Sequence, residues 1–283
     1  MHKIAKRLSY PYIIWITIMI LIPMLLIFIY SIIEAGQSPM AFRFTLAHYQ
    51  TVFDPMYLRI LWGSFVIALI ATVICLLIGY PVAWIISRYP PAKQSTILLL
   101  FIMPMWINML LRTYAWITIL SRNGLLNSIL STIGIEPLNL LYTDFAVILG
   151  MVYNFLPFMI LPIYTAILKV DQNLVDAAHD LGANHRQAFI RVILPLTIPG
   201  IITGITMVFL PAVSTFVIPQ LLGGGQFIMM GNLIERQYLL TGNWYFGSAL
   251  AMVLMVFILI SVWVMKRFDA DDEDSKGKGA LPW

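Results

Sequence analysis

The sequence predicts an all-α membrane protein: six transmembrane helices with both termini in the cytoplasm. Three observations carry this. Hydrophobic residues make up 60% of the 283 residues and charged residues only 11%. The mean hydropathy is +0.88. Charges are confined to short clusters between six long apolar runs, a composition that excludes an ordinary soluble domain. Each run exceeds the ~18 apolar residues that mark a bilayer-crossing helix. Backbone groups in hydrocarbon must bond within the chain, so each run is read as a helix.

The spans fall at about 13–33, 60–86, 97–120, 144–168, 196–218 and 247–265. Lys3, Lys6 and Arg7 precede the first. It is too long for the apolar core of a secretory signal and no small-x-small cleavage site follows, so it is expected to remain as a helix. The second holds Cys75, the single cysteine, which rules out an intrachain disulfide and is assigned to packing. The third carries Arg112, the ionisable residue deepest in any span. Pro157, Pro162, Pro199, Pro211 and Pro219 are expected to interrupt the later helical stretches. Outer segments cover 34–59, 121–143 and 219–246; Phe42, Phe44, Tyr49 and Phe53 are placed at the interface, and a short helix is expected to begin at Gly124–Asn127. Residues 1–268 form one domain. The tail 269–283 holds Asp269–Asp274 and Lys276–Gly279 and is expected to be disordered.

Lysines and arginines set the orientation. The segments assigned to the cytosol hold Lys3, Lys6, Arg7, Arg88, Lys93, Lys169, Arg186, Arg191, Lys266, Arg267, Lys276 and Lys278. The opposite side holds Arg43, Arg59, Arg122 and Arg236. Twelve against four follows the positive-inside rule. The net charge of +4 then reflects sidedness and contact with anionic membrane lipid, and implies no nucleic-acid partner.

The polar insert 169–195 lies on the cytosolic side and reads as two capped helices. Asn173 is expected to cap the first, with Asp176 completing a capping-box pair. Leu174, Ala178 and Leu181 follow at i, i+4 and i+7, one face of a helix. Gly182 stands where that helix should stop, in a position favouring left-handed backbone. Asn184 with Gln187 starts a second helix, and Pro195 is expected to break the chain before the fifth span.

The spacing Asp176-Ala177-Ala178, three residues, Gly182, nine residues, then Val192-x-Leu194-Pro195 resembles the EAA loop of ABC-importer permeases of the MetI-like fold, with Asp in place of the usual Glu. The resemblance extends through Gly79–Trp84, Pro104–Trp106 with Arg112–Tyr114, Leu156–Met159 with Pro162–Tyr164, and Leu194–Gly200, where the chain looks like polyamine-importer permeases for spermidine and putrescine. It implies that Asp176, Ala177, Ala178, Leu181, Gly182, Leu194 and Pro195 couple the bundle to a cytosolic ABC ATPase dimer. ATP and magnesium would be bound there, with no cofactor in this chain. It further implies a homologous second permease, an extracytoplasmic polyamine-binding protein, a bacterial inner-membrane location and alternating access.

Along the membrane path, Trp106, Tyr114, Trp116, Tyr153 and Phe158 offer aromatic faces to a polycation, and cation–π contacts are worth roughly 0.5–2 kcal/mol. Their other reading is helix packing and interfacial belts. Asp144 and Glu235 are candidates for the outer entrance. Arg112 costs ~2.5–3.5 kcal/mol at a helix centre, so it either serves a partner contact or gate, or snorkels outward. Gly200 and Gly204 form a G-x-x-x-G pair suited to close helix approach, across a subunit interface or within the chain. The sequence holds no Gly-x-x-x-x-Gly-Lys-Ser/Thr phosphate loop, and His2, His48, His179 and His185 form no HExxH-like metal pair. An enzyme is not expected. Permeases for iron, sulfate, phosphonate or thiamine remain alternatives. An ion-coupled secondary transporter would call for intramembrane carboxylates or internal repeats, and neither is visible.

Overall fold

The computed structural model describes residues 2–35 and 42–277. Thirteen α-helices follow one another among the described residues. They are α1 (His2–Ser31), α2 (Ala47–Val52), α3 (Pro55–Ser87), α4 (Pro91–Ile102), α5 (Met109–Leu120), α6 (Leu125–Thr132), α7 (Asp144–Leu168), α8 (Gln172–Asp180), α9 (His185–Ala188), α10 (Leu194–Ser214), α11 (Val217–Leu222), α12 (Met230–Leu239) and α13 (Trp244–Gly277). Two three-residue strands, β1 (Ile33–Ala35) and β2 (Phe42–Phe44), pair antiparallel with Glu34 opposite Arg43. Strands this short leave almost no alternation in the sequence, so the outer segment expected as a loop over 34–59 carries a small ladder.

The chain forms two compact units. The first joins residues 1–61 with 230–257. Within it Tyr30 packs on Tyr245 at 5.8 Å between ring centroids, and the Tyr49 hydroxyl donates to Ser31 Oγ over 2.8 Å. Phe42, Phe44 and Phe53 stay exposed. The second joins residues 62–229 with 258–283 and is built around α7, whose apolar window is 61% buried.

Among the described residues five helices are long and apolar enough to cross a membrane, and a bent pair makes a sixth if its two halves are taken as one span. The third span is therefore not the straight helix expected over 97–120. Pro91–Trp106 and Met109–Thr132 meet at 93°. Pro104 removes a backbone donor near the end of α4, a 3₁₀ turn covers Met103–Trp106, and Ile107 is extended. Asn108 then caps α5 by accepting from the Leu110 N–H over 2.8 Å. Conversely, Pro157 and Pro162 lie inside an unbroken α7, as Pro199 and Pro211 do in α10; membrane helices accommodate such prolines where neighbours satisfy the freed groups. The fifth span stops at Ser214, before the expected 218.

α6 begins at Leu125 with Gly124 as its cap. Its Asn127, 2% exposed, donates to the Ser121 and Leu138 carbonyls and accepts from the Leu138 N–H, which closes the loop behind it. α13 continues through Gly277, so residues 269–277, expected to be disordered, prolong a helix already formed, where extension needs no new nucleus. Residues 278–283 of that tail lie outside the described residues.

Cys75 is fully buried, its Sγ 3.8 Å from the Val152 carbonyl oxygen. In intact membranes it should resist maleimide labelling and become reactive once the protein is unfolded in detergent. Labelling of the folded protein would contradict this packing of α3 on α7.

Candidate functional site: the cytosolic helix pair and the membrane path

The cytosolic pair is built as two capped turns at right positions but with one shifted start. α8 is capped by Asp171, whose carboxylate accepts the Asn173 N–H over 2.9 Å; Asn173, the expected cap, is already helical. Asp and Asn cap equally well, and the end of α7 at Lys169 brings the earlier residue into place. Asp176 instead accepts from Gln172 Nε2 over 3.1 Å on the exposed side. α8 ends as expected at Gly182, with φ +85°. The Ala183 N–H bonds the Ala178 carbonyl over 3.0 Å and the Gly182 N–H bonds that of His179 over 2.9 Å, the paired contacts of a Schellman motif. The box at Asn184 and Gln187 closes with two 2.9 Å bonds.

The faces of α8 divide differently from the expected Leu174–Ala178–Leu181 stripe. Val175 is buried with Ala188 and Ile193, and Ala178, Trp84, Val170, Phe189 and Val192 pack against them. Ala178 therefore faces inward. Leu174, Ala177 and Leu181 are exposed, Leu181 at 89%. At i, i+3 and i+7 they form an apolar stripe aimed away from the chain.

Pro195 does not break the chain. Phe189–Ile193 form a π-helical segment that joins α9 to α10, and the Leu194 N–H reaches back to the Phe189 carbonyl. The widened turn makes room for a residue that lacks its own N–H. His185–Ser214 is thus one helix of 30 residues. Leu194 and Pro195 lie at its seam, not at an exit.

Sequence reasoning missed the brace beneath this pair. Trp84 and Tyr80 on α3 meet Phe189 edge-on at 5.1 and 5.8 Å, and the Tyr80 hydroxyl and Thr197 are hydrogen-bonded at 3.0 Å. Gln94, 8% exposed, donates to the Ser87 and Tyr89 carbonyls and accepts from the Tyr164 hydroxyl over 2.6 Å. It locks the α3–α4 turn to α7. The spacing of Tyr80, Trp84 and Arg88, four residues apart at a cytosolic helix end, was the available signal.

Among the candidate path residues, Trp116 and Tyr153 meet edge to face at 5.4 Å. Trp106 at 78% and Tyr114 at 53% exposure face out of the second unit, flanking the bend. Phe158 is half-buried on α7, and among the described residues it shares no ring contact with them. Asp144 sits in the first turn of α7 beside the Thr143 cap, where a carboxylate is favoured by the helix dipole. Glu235 is half-buried on α12 in the first unit. Arg112 lies in the first turn of α5 just past the bend, and its Nε is buried without a hydrogen-bond partner. Asn154, which the sequence did not single out, is 5% exposed on α7 with its Oδ1 likewise unpartnered.

Gly200 and Gly204 pack within the chain. A Cβ at Gly200 would overlap Ala166 and stand 2.8 Å from the Pro162 carbonyl oxygen; one at Gly204 would meet Met159 Sδ at 2.8 Å. Both approach α7, which removes them from the subunit-interface reading.

A multi-span helical bundle bearing a capped cytosolic helix pair has the build of a solute permease. The chain belongs to the family described as binding-protein-dependent transport system inner membrane component, whose model matches residues 64–271, and it is a multi-pass inner-membrane protein. It is 44% identical over 256 residues to the spermidine/putrescine transport system permease protein PotB of Haemophilus influenzae, covering 89% of this chain and 90% of that one. The Escherichia coli K12 protein of the same description is 39% identical over 259 residues, covering 89% and 94%. Among solved structures, a bacterial alginate ABC transporter in complex with alginate pentasaccharide-bound periplasmic protein matches with a TM-score of 0.78 at 19% identity, covering 93% of this chain and 92% of that chain. That likeness is one of fold.

Proposed function

We propose that this chain is a membrane-spanning subunit of an ATP-driven importer of polyamines. The observation that carries the coupling half of this reading is the exposed stripe Leu174, Ala177 and Leu181 on a helix capped at both ends and braced from behind by Trp84 and Phe189. An apolar stripe on a rigid helix suits a groove in a partner. Here the partner is a cytosolic ATPase dimer that binds ATP and magnesium, with a homologous second permease and an extracytoplasmic binding protein completing the assembly. The cargo half rests on relatives 39–44% identical along most of the chain and on the aromatic faces along the path. In operation, closure of the ATPase dimer moves α8 and α9, the bundle opens outward to receive the cation, and hydrolysis returns it inward.

The test is ATP-dependent uptake of labelled spermidine into liposomes holding this chain with its co-encoded partners and external binding protein, with putrescine, sulfate and ferric iron in parallel. Spermidine or putrescine accumulation supports the reading, whereas uptake of another cargo alone replaces the polyamine. Trp106→Leu with Tyr114→Leu should lower spermidine uptake several-fold at unchanged complex yield, since each lost cation–π contact is worth roughly 0.5–2 kcal/mol. Unaltered uptake kinetics would assign both rings to packing or lipid contact.

A further inference from the structure

A second feature of the cytosolic face lies beside the coupling stripe and is chemically unlike it. Between the end of α3 and the α8–α9 pair is a cavity of about 460 Å³ lined by Trp84, Arg88, Val175, His179, His185, Arg186, Ala188, Phe189 and Ile193. Two arginines and two histidines converge on it, and no carboxylate is among the lining residues. The Arg88 guanidinium is held 4.2 Å from the centre of the Trp84 ring. The His179 and His185 rings meet edge-on at 4.8 Å, and His179 Nδ1 is tied to the Ala183 carbonyl oxygen at 2.8 Å. Among the described residues neither arginine has an ion-pair partner. Sidedness alone requires positive charge on this face, with no need for four such groups to share one concavity.

We infer that this cavity binds a phosphate group, supplied by an anionic lipid headgroup or by a free phosphate anion. Guanidinium matches phosphate in charge and fork geometry, and the His185 imidazole can add an N–H donor. Trp84 at the cytosolic end of a span marks headgroup depth, where basic pockets between helices accept lipid phosphates. A bound phosphate links Arg88 on the α3 end to Arg186 on α9 and so stiffens the brace under the coupling helices. This site depends on neither the cargo nor ATP, so its failure is separate from failure of the transport reading.

The experiment uses the full chain in its complex and has two arms. In one, the complex is taken from bilayers of phosphatidylcholine mixed with phosphatidylglycerol, and retained phosphatidylglycerol is counted by native mass spectrometry. In the other, binding of radiolabelled inorganic phosphate is measured in phosphatidylcholine nanodiscs. Saturable binding is expected in at least one arm, weakened about tenfold or more in Arg88→Gln/Arg186→Gln and less in Arg88→Lys/Arg186→Lys, which keeps the charge and loses the fork. Retention of lipid alone assigns the headgroup as the source, and binding of inorganic phosphate alone assigns the free anion. No saturable binding in either arm, or equal binding by the glutamine variant, overturns the site. Should that double variant misassemble, Arg186→Gln alone, at an exposed position, gives the same reading.

Discussion

Gly182→Val should reduce ATP-driven uptake roughly tenfold while the bundle remains folded and the complex monodisperse. Gly182 has φ +85° with open space around it, so the valine side chain meets no clash. The penalty is conformational, ~1–2 kcal/mol for a non-glycine residue in left-handed backbone and more with a branched Cβ. Relief comes by leaving that conformation. This breaks the hydrogen bonds from Gly182 to His179 and from Ala183 to Ala178 and changes the angle at which α8 leaves α9. About 1.4 kcal/mol corresponds to a tenfold change in a coupled equilibrium. Gly182→Asn separates the causes, because asparagine tolerates this backbone region and should retain most uptake. Equal loss in both variants would show that the empty space, not the backbone angle, matters to the partner; normal uptake in the valine variant would remove the coupling claim.

Gly200→Ala should strongly destabilise the seat of α10 on α7. Its Cβ would overlap Ala166 and press on the Pro162 carbonyl at 2.8 Å. A backbone carbonyl inside α7 has little freedom to retreat, so the cost lies at or beyond the top of the ~1–3 kcal/mol seen for overpacked cores. Gly204→Ala is the internal control. Its nearest obstacle is Met159 Sδ at 2.8 Å, an unbranched side chain that repacks readily. The thermal midpoint and yield of folded protein should fall steeply for Gly200→Ala and slightly for Gly204→Ala. Ala166→Gly combined with Gly200→Ala should recover part of the loss. Similar midpoints for the two single variants would mean that α10 does not seat on α7 as described.

Much of this architecture was readable from residue order, and what was not has identifiable physical causes. Span positions followed from hydropathy because lipid demands long apolar helices. The Gly182 stop and the Asn184–Gln187 box followed from local chemistry that needs no tertiary partner. The start of α8 slipped by two residues because Asp171 and Asn173 are comparable caps, and only the end of α7 chooses between them. The inward turn of Ala178 depends on Val175 meeting Ala188 and Ile193, a contact absent from any single-helix pattern. The bend at Trp106–Asn108 was masked by uniform hydropathy, although Pro104 and Asn108 together spell a stop and a new cap. The path residues were the least legible, because an aromatic ring facing lipid and one facing cargo have the same local sequence.

The π-helical seam at Phe189–Ile193 has a mechanical consequence. Because it joins α9 to α10 with no break between them, His185–Ser214 is one continuous helix of 30 residues, about 45 Å long at 1.5 Å per residue. Gly200 rests against α7 near its midpoint, with arms of about 22 and 21 Å on either side. A tilt about that fulcrum would swing the two ends in opposite directions by nearly equal amounts. With such a see-saw, a push at the cytosolic end would become a counter-movement on the far side of the membrane.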